Sequence, residues 1–362
     1  MSHDIPPQTP ASLAIAWSDA VRADQFSHWL TGVAAQHRLQ MESLRLASAD
    51  ASFRRYFRID AQDGSRIIMD APPDKENSAP FVKVAALMQA AGVHGPQVLA
   101  WDEPLGFMLL TDLGAQTMMQ VIKREQPQAN LPLYLQAVDA LIAWQLSSQP
   151  GVLPPYDEAL LRRELELFPD WYITRHKGVV MDAAMRQTLD KSFEEIIRHN
   201  LRWPSVFVHR DFMPRNLMIS GTAHAPVLGV LDFQDAVYGP ITYDIASLMR
   251  DAFLSWDEDF CLDITIRYWE KARKAGLPVG DDFGEFYRGV EWMGLQRHLK
   301  VAGIFARLTL RDGKPQYLAD TPRFIAYIRI TCERYRELKP LLRLVEKLEG
   351  IEVPNVFGFG RQ

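Results

Sequence analysis

Apolar positions switch between helical and strand spacing along the chain, and the switches outline its elements. After Ser18, a candidate cap, Phe26, Trp29, Leu30 and Val33 recur at helical period. Over residues 44–70 the pattern shortens to aromatic and β-branched runs. Phe53, Tyr56, Phe57 and Ile59 precede the turn pair Asp63-Gly64, and Arg66, Ile67, Ile68 and Met69 follow it, which predicts antiparallel strands. Residues 80–92 return to helix, with Pro80 near the start and Gly92 at the end. Runs at 98–101 and 106–114 then predict a hairpin leading into a glycine-containing connector.

Beyond residue 115 helical spacing dominates. Apolar residues nearly encircle 131–147, which implies a buried helix. Leu161, Leu165, Phe168 and Tyr172 keep register through 157–177, and the C-terminal third predicts helices at 257–275, 282–311 and 320–348. An antiparallel region followed by a larger helical one defines an α+β chain. Two short apolar runs, 206–208 and 227–231, interrupt the helices, and each ends just before a conspicuous polar cluster.

The first run delivers His209-Arg210-Asp211, with Asn216 after four intervening residues, and the second delivers Asp232. Side chains placed where a strand gives way to loop are held accurately yet remain accessible. The chemistry this set suits is phosphoryl transfer from a nucleotide, which needs a base for the attacking hydroxyl and magnesium against the phosphates. Asp211 would accept the hydroxyl proton. Asn216 and Asp232 offer the hard oxygen ligands that magnesium prefers.

His-Arg-Asp-x-x-x-x-Asn followed by Asp-Phe resembles the catalytic and metal loops of protein kinases, with Gln234 in place of the glycine of Asp-Phe-Gly. The fuller stretches HRDFMPRN, LDFQDA and GPITYDIA resemble the aminoglycoside phosphotransferase and choline kinase family over roughly residues 45–310, most strongly over 206–250. The resemblance implies a protein-kinase-like two-lobed fold, with a small antiparallel-sheet N-lobe and a larger, mainly helical C-lobe. The expected division is a loose leader at 1–17, an N-lobe at 18–113 and a C-lobe at 114–362. It also implies ATP and Mg2+ as cofactors, His209 as a brace for the loop, and Asp244 as an acceptor for backbone amides of that loop.

In the N-lobe the resemblance makes 44–70 a flap over ATP. Residues 48–52 stand where kinases carry a glycine-rich loop, and Ser52 is the candidate phosphate contact there. The connector at Leu110, Thr111 and Asp112 is the expected adenine-binding hinge. Where most relatives present a lysine on the third strand, this chain reads Ile68-Met69-Asp70. Either Arg54, Arg55 or Arg58 replaces it, as arginine's planar donor fork allows, or magnesium and backbone amides suffice.

Candidate acceptor contacts are more ambiguous. Asp170 and Trp171 could pair a carboxylate with an aromatic face for a sugar, or belong to a row of core aromatics. Asp235 could reach a substrate hydroxyl or cap a turn. On 282–311, Lys300 and Arg307 join Arg297, His298 and Arg311 in a basic face, which is either solvated or recognises a polar substrate. Within the family, SFRRYFR, IMDAPP and LQRHLKVAGIFARL resemble bacterial kinases acting on the anomeric hydroxyl of N-acetylmuramate and N-acetylglucosamine in cell-wall recycling. The alternatives are a kinase of the same fold for an amino alcohol or aminoglycoside, and a non-catalytic nucleotide-binding module.

Composition narrows the partners. A net charge of −5 without an arginine- or lysine-dense stripe argues against nucleic acid. No run reaches 18 apolar residues, and the N-terminus lacks a basic, apolar signal pattern, so a cytoplasmic protein is expected. The two cysteines, Cys261 and Cys332, carry no metal-site spacing and are expected to be reduced core residues. Oligomeric state leaves no trace in the sequence.

Overall fold

The computed structural model describes residues 15, 17, 19–49, 53–222 and 225–351. The chain runs α1 (Ala20–His37), β1 (Leu39–Ala49), β2 (Arg55–Ala61), β3 (Gly64–Asp70), α2 (Ala79–Ala90), β4 (Val98–Asp102) and β5 (Phe107–Thr111). Next come β6 (Gln116–Thr117), a helical turn α3 (Met118–Val121), α4 (Leu131–Leu146), α5 (Glu158–Leu165), a π-helix (Phe168–His176) and α6 (Ala183–Leu201). Strands β7 (Ser205–Val208), β8 (Leu217–Thr222), β9 (Ala225–Val230) and β10 (Val237–Pro240) follow. The remainder is α7 (Thr242–Met249), α8 (Glu258–Lys274), α9 (Phe283–Leu310), α10 (Thr321–Arg334) and α11 (Lys339–Glu349).

Two compact units result. The first holds the described residues of Met1–Ala90, together with His94–Ala115 and Ile219–Gln234; the second holds Ala91–Val93, Gln116–Met218 and the described part of Asp235–Gln362. The division is not a single cut near 113/114: Ile219–Gln234, with Asp232, packs into the first unit, and Ala91–Val93 into the second. The Val230 N–H donates to the His94 carbonyl at 2.8 Å, and the Phe233 ring lies 4.8 Å from Phe81 of α2.

The first unit is built on an antiparallel sheet in the order β1-β2-β3-β5-β4. One sheet face packs on α1, where Phe26, Trp29 and Leu30 meet Phe57, Ile59, Ile68, Phe107 and Leu109. Alternation fixes which side chains share that face: in β2 the odd positions 55, 57 and 59 turn toward α1, and 56 and 58 turn away. Asp19 caps α1 by accepting the Val21 N–H at 2.8 Å.

In the second unit α9 is the central helix, buried around much of its circumference and packed against α7, α10 and the π-helix. Gly303 permits the closest approach, because a Cβ there would lie 2.3 Å from the Leu167 carbonyl oxygen. Two expected helices are interrupted. The 157–177 stretch is α5 followed by the π-helix, and 320–348 breaks at Tyr335, whose backbone is extended. Pro340 accounts for the second break, since inside a continuous helix its ring would clash with the carbonyl of Arg336. Cys261 and Cys332 are buried free thiols.

Candidate active site

The apolar run Val206, Phe207 and Val208 is buried as β7 and pairs antiparallel with β10, Val208 opposite Val237. Backbone order ends at His209, and Arg210 turns into the left-handed region at φ +77°. Among the described residues the non-glycine positions with positive φ are Arg38, Arg210 and Asp232. Arg38 caps α1; the other two stand on the two loops that carry the candidate chemistry. Holding a side-chain-bearing residue there costs on the order of 1–3 kcal/mol, so the surroundings must impose it.

At Arg210 the surroundings are charged and buried. Asp244, fully buried on α7, accepts the His209 N–H at 2.7 Å and the Arg210 N–H at 3.0 Å. Burial pushes its carboxyl up to about 6, against the pull of His209, these backbone donors and Arg297. Arg297 of α9 donates to the Arg210 carbonyl at 2.6 Å. Nδ1 of His209 accepts the Asp211 N–H at 3.2 Å, so the histidine braces the loop. Asn216 closes it, donating its side-chain amide to the Asp211 carbonyl at 2.9 Å and its backbone N–H to Met213 at 2.8 Å.

The Arg210 guanidinium reaches Glu164 of α5 at 2.5 Å, and the same carboxylate takes Lys300 at 2.9 Å, Tyr156 at 2.5 Å and Gln296 at 3.1 Å. Burial works to raise the Glu164 pKa, but Lys300 and Arg210 outweigh it and hold the group at about 2. Sequence reasoning missed Glu164, although a signal was available. It falls on the helical face of Leu161, Leu165 and Phe168, where an unpaired carboxylate would be intolerable.

Three basic residues of α9 depart from the solvated reading. Arg297, His298 and Lys300 are 4%, 2% and 8% exposed, neither solvated nor presented as free cations. Lys300 is taken up by Glu164 and donates to the Tyr243 hydroxyl at 3.3 Å, which makes it part of the support under the Arg210 turn. The cause is the central position of α9, where charge is retained only when paired. Arg307 is half-buried, its pKa lowered by burial and by neighbouring Arg311. Trp171 carries the Arg175 guanidinium 3.9 Å over its ring, Asp170 is exposed beside it, and Asp235 gives its carbonyl to Arg210 at 3.4 Å.

In the first unit β9 ends before Asp232, which stands at φ +64° and accepts the Gln234 side-chain amide at 2.8 Å. The three candidate arginines are all engaged with carboxylates: Arg54 with Glu76 at 3.1 Å, Arg55 with Asp70 at 2.6 Å, Arg58 with Asp112 at 2.6 Å. Arg55 lies on the α1 face, stacked 3.9 Å over Trp17, and Arg22 of α1 shares its buried partner Asp70. Strand parity therefore separates it from Arg58.

The expected hinge residues lie at and just past the end of β5. Leu110 lies between β3 and β4, the Thr111 N–H donates to Gln97 at 3.1 Å, and Asp112 takes Arg58, Ser65 and the Gly114 N–H. Ser52 lies outside the described residues.

An antiparallel-sheet unit, a mainly helical unit and a strained His-Arg-Asp loop define a phosphotransferase of protein-kinase-like fold. A Plasmodium vivax ethanolamine kinase structure superposes with a TM-score of 0.60 at 9% identity, covering 89% of this chain and 92% of that one. The chain belongs to the phosphotransferase enzyme family, whose profile matches residues 43–282. It is 51% identical to the N-acetylmuramate/N-acetylglucosamine kinase of Neisseria meningitidis serogroup B over 85% of this chain and 91% of that protein. It is equally 51% identical to the kinase of the same name from Pseudomonas aeruginosa, over 84% and 89%.

Proposed function

We propose that this chain is an ATP-dependent kinase that phosphorylates N-acetylmuramate and N-acetylglucosamine on the anomeric hydroxyl. The observation that carries the reading is the 51% identity, across nearly the whole of each relative, to kinases named for those two sugars. Asp211 would accept the hydroxyl proton as the γ-phosphorus is attacked. An anomeric hydroxyl is more acidic than an ordinary sugar alcohol, so a carboxylate base suffices in a loose transition state.

Asn216 and Asp232 would each offer magnesium a hard oxygen donor, an amide oxygen and a carboxylate, of the kind taken by a cation which keeps waters and phosphate oxygens. Bound magnesium would neutralise charge developing on the phosphates. Among the described residues no helix is long and apolar enough to cross a membrane. With ATP as donor the reaction would run in the cytoplasm and return cell-wall amino sugars to metabolism.

The test is product identity. Incubation with ATP, magnesium and either sugar is expected to give a glycosyl 1-phosphate, acid-labile, with its anomeric proton coupled to phosphorus in the NMR spectrum. A 6-phosphate, or turnover of an amino alcohol with neither sugar consumed, would overturn the reading.

A further inference from the structure

The two proposed acceptors differ in one group: N-acetylmuramate carries a lactyl carboxylate on C3, and N-acetylglucosamine has a hydroxyl there. An enzyme that takes both gains from a cation a ring-width away from the group aimed at C1. Most basic side chains near the catalytic loop are already used. Arg210 and Lys300 are bound to Glu164, and Arg297 to the Arg210 carbonyl. Arg307 lies ten residues along α9 from Arg297, roughly 15 Å of helical rise.

Arg215 is different. It is exposed, it sits on the same turn as Asp211, and among the described residues it forms no ion pair. Four residues reach at most about 14 Å when extended, and Asn216 folds this turn well short of that through its bonds to Asp211 and Met213. The Arg215 guanidinium lies 4.1 Å over the Phe253 ring. A guanidinium held over a ring keeps its five N–H donors, and a carboxylate can accept two of them in parallel.

The shelf beneath it is fixed. Phe253 packs 5.5 Å from Phe305 of α9, its N–H donates to Asp251 at 3.1 Å, and Arg323 holds the preceding carbonyl of Ala252 at 2.9 Å. Holding arginine over an anchored ring reduces the side-chain entropy lost when an anion binds.

We infer that Arg215, stacked on Phe253, is the subsite that recognises the lactyl carboxylate of N-acetylmuramate. This rests on the proposed sugar-kinase activity and names the residue that discriminates between its two acceptors. The experiment compares kcat/KM for both sugars in wild type, Arg215→Gln, Arg215→Lys and Phe253→Leu. Arg215→Gln is expected to lower the N-acetylmuramate to N-acetylglucosamine ratio on the order of tenfold, through KM, as for one lost charge-assisted contact. Arg215→Lys should recover part of it, and Phe253→Leu should shift the ratio the same way by less. An unchanged ratio, or equal losses on both sugars, would overturn the assignment. Wild-type enzyme inactive on both sugars would instead remove the functional reading on which it stands.

Discussion

The two left-handed turns that carry the candidate chemistry are held by opposite means. Arg210, in the helical unit, is fixed by buried charge: Asp244 on its amide, Arg297 on its carbonyl and Glu164 on its guanidinium. Asp232, in the sheet unit, follows a strand tied to His94 and precedes an aromatic ring packed on Phe81, with Gln234 on its carboxylate. A base must meet a hydroxyl at one defined place, and hydrogen bonds from several directions specify position more tightly than apolar packing does. A metal ligand can tolerate small shifts, because the ion and its waters adjust.

The comparison is tested most strongly at its chemical end. Asp211→Asn should lower kcat by about 10²–10⁴, the usual range for a lost general base, with the melting temperature unchanged. Retention of more than about a tenth of wild-type turnover would dissociate the braced loop from base catalysis.

Next in size is the support under Arg210. Glu164→Ala leaves buried Lys300 and part-buried Arg210 without their carboxylate and should destabilise the fold by roughly 3–5 kcal/mol, measured by denaturant unfolding. A cost below about 1 kcal/mol would mean that the ion pairs under the loop are dispensable.

Asp244 gives the comparison a pH signature. As pH falls through about 6 the buried carboxyl takes up a proton, replaces an acceptor with an O–H facing two N–H donors, and kcat should fall. Stability has the opposite sign. A carboxyl whose folded pKa is raised from 3.8 to about 6 favours folding below 3.8 and loses that contribution as pH rises through 6. Parallel profiles of kcat and melting temperature between about pH 5 and 8 should therefore diverge on the acid side. If both decline together, unfolding explains the loss.

Smaller effects are expected in the sheet unit. Gln234→Ala should raise the magnesium concentration needed for half-maximal rate by about threefold, the worth of one ordinary hydrogen bond, with kcat at saturating magnesium little altered. A fall in kcat that magnesium does not restore would show that Asp232 is held as rigidly as Asp211.

The smallest separates the arginines. Arg54→Ala should raise KM for ATP severalfold, whereas Arg55→Ala should act on stability, since its side chain faces α1. An ATP effect at Arg55 alone would reverse this assignment.

Much of this was legible in the residues. Spacing placed α1, the β2–β3 hairpin, α2, α4, α8 and α9 near their observed bounds, and the motif stretches carried the family. Periodicity could not reveal that 157–177 passes into a π-helix, because the same apolar register serves both. Glu164 and Lys300 were readable as charges but not as partners, being separated by well over a hundred positions.

The sequence by itself singled out the candidate residues for the chemistry, because spacing along a strand and its following loop is a local property. Only the tertiary structure decided what those residues are fastened to. It withdrew Arg297, His298 and Lys300 of α9 from solvent, bound the Asp112 carboxylate to Arg58, and joined Ile219–Gln234 to the first unit. The physical reason is that burial and ion pairing depend on which distant segments meet. A buried cation is stable only where a distant segment brings its carboxylate, and periodicity on one segment carries no record of the other.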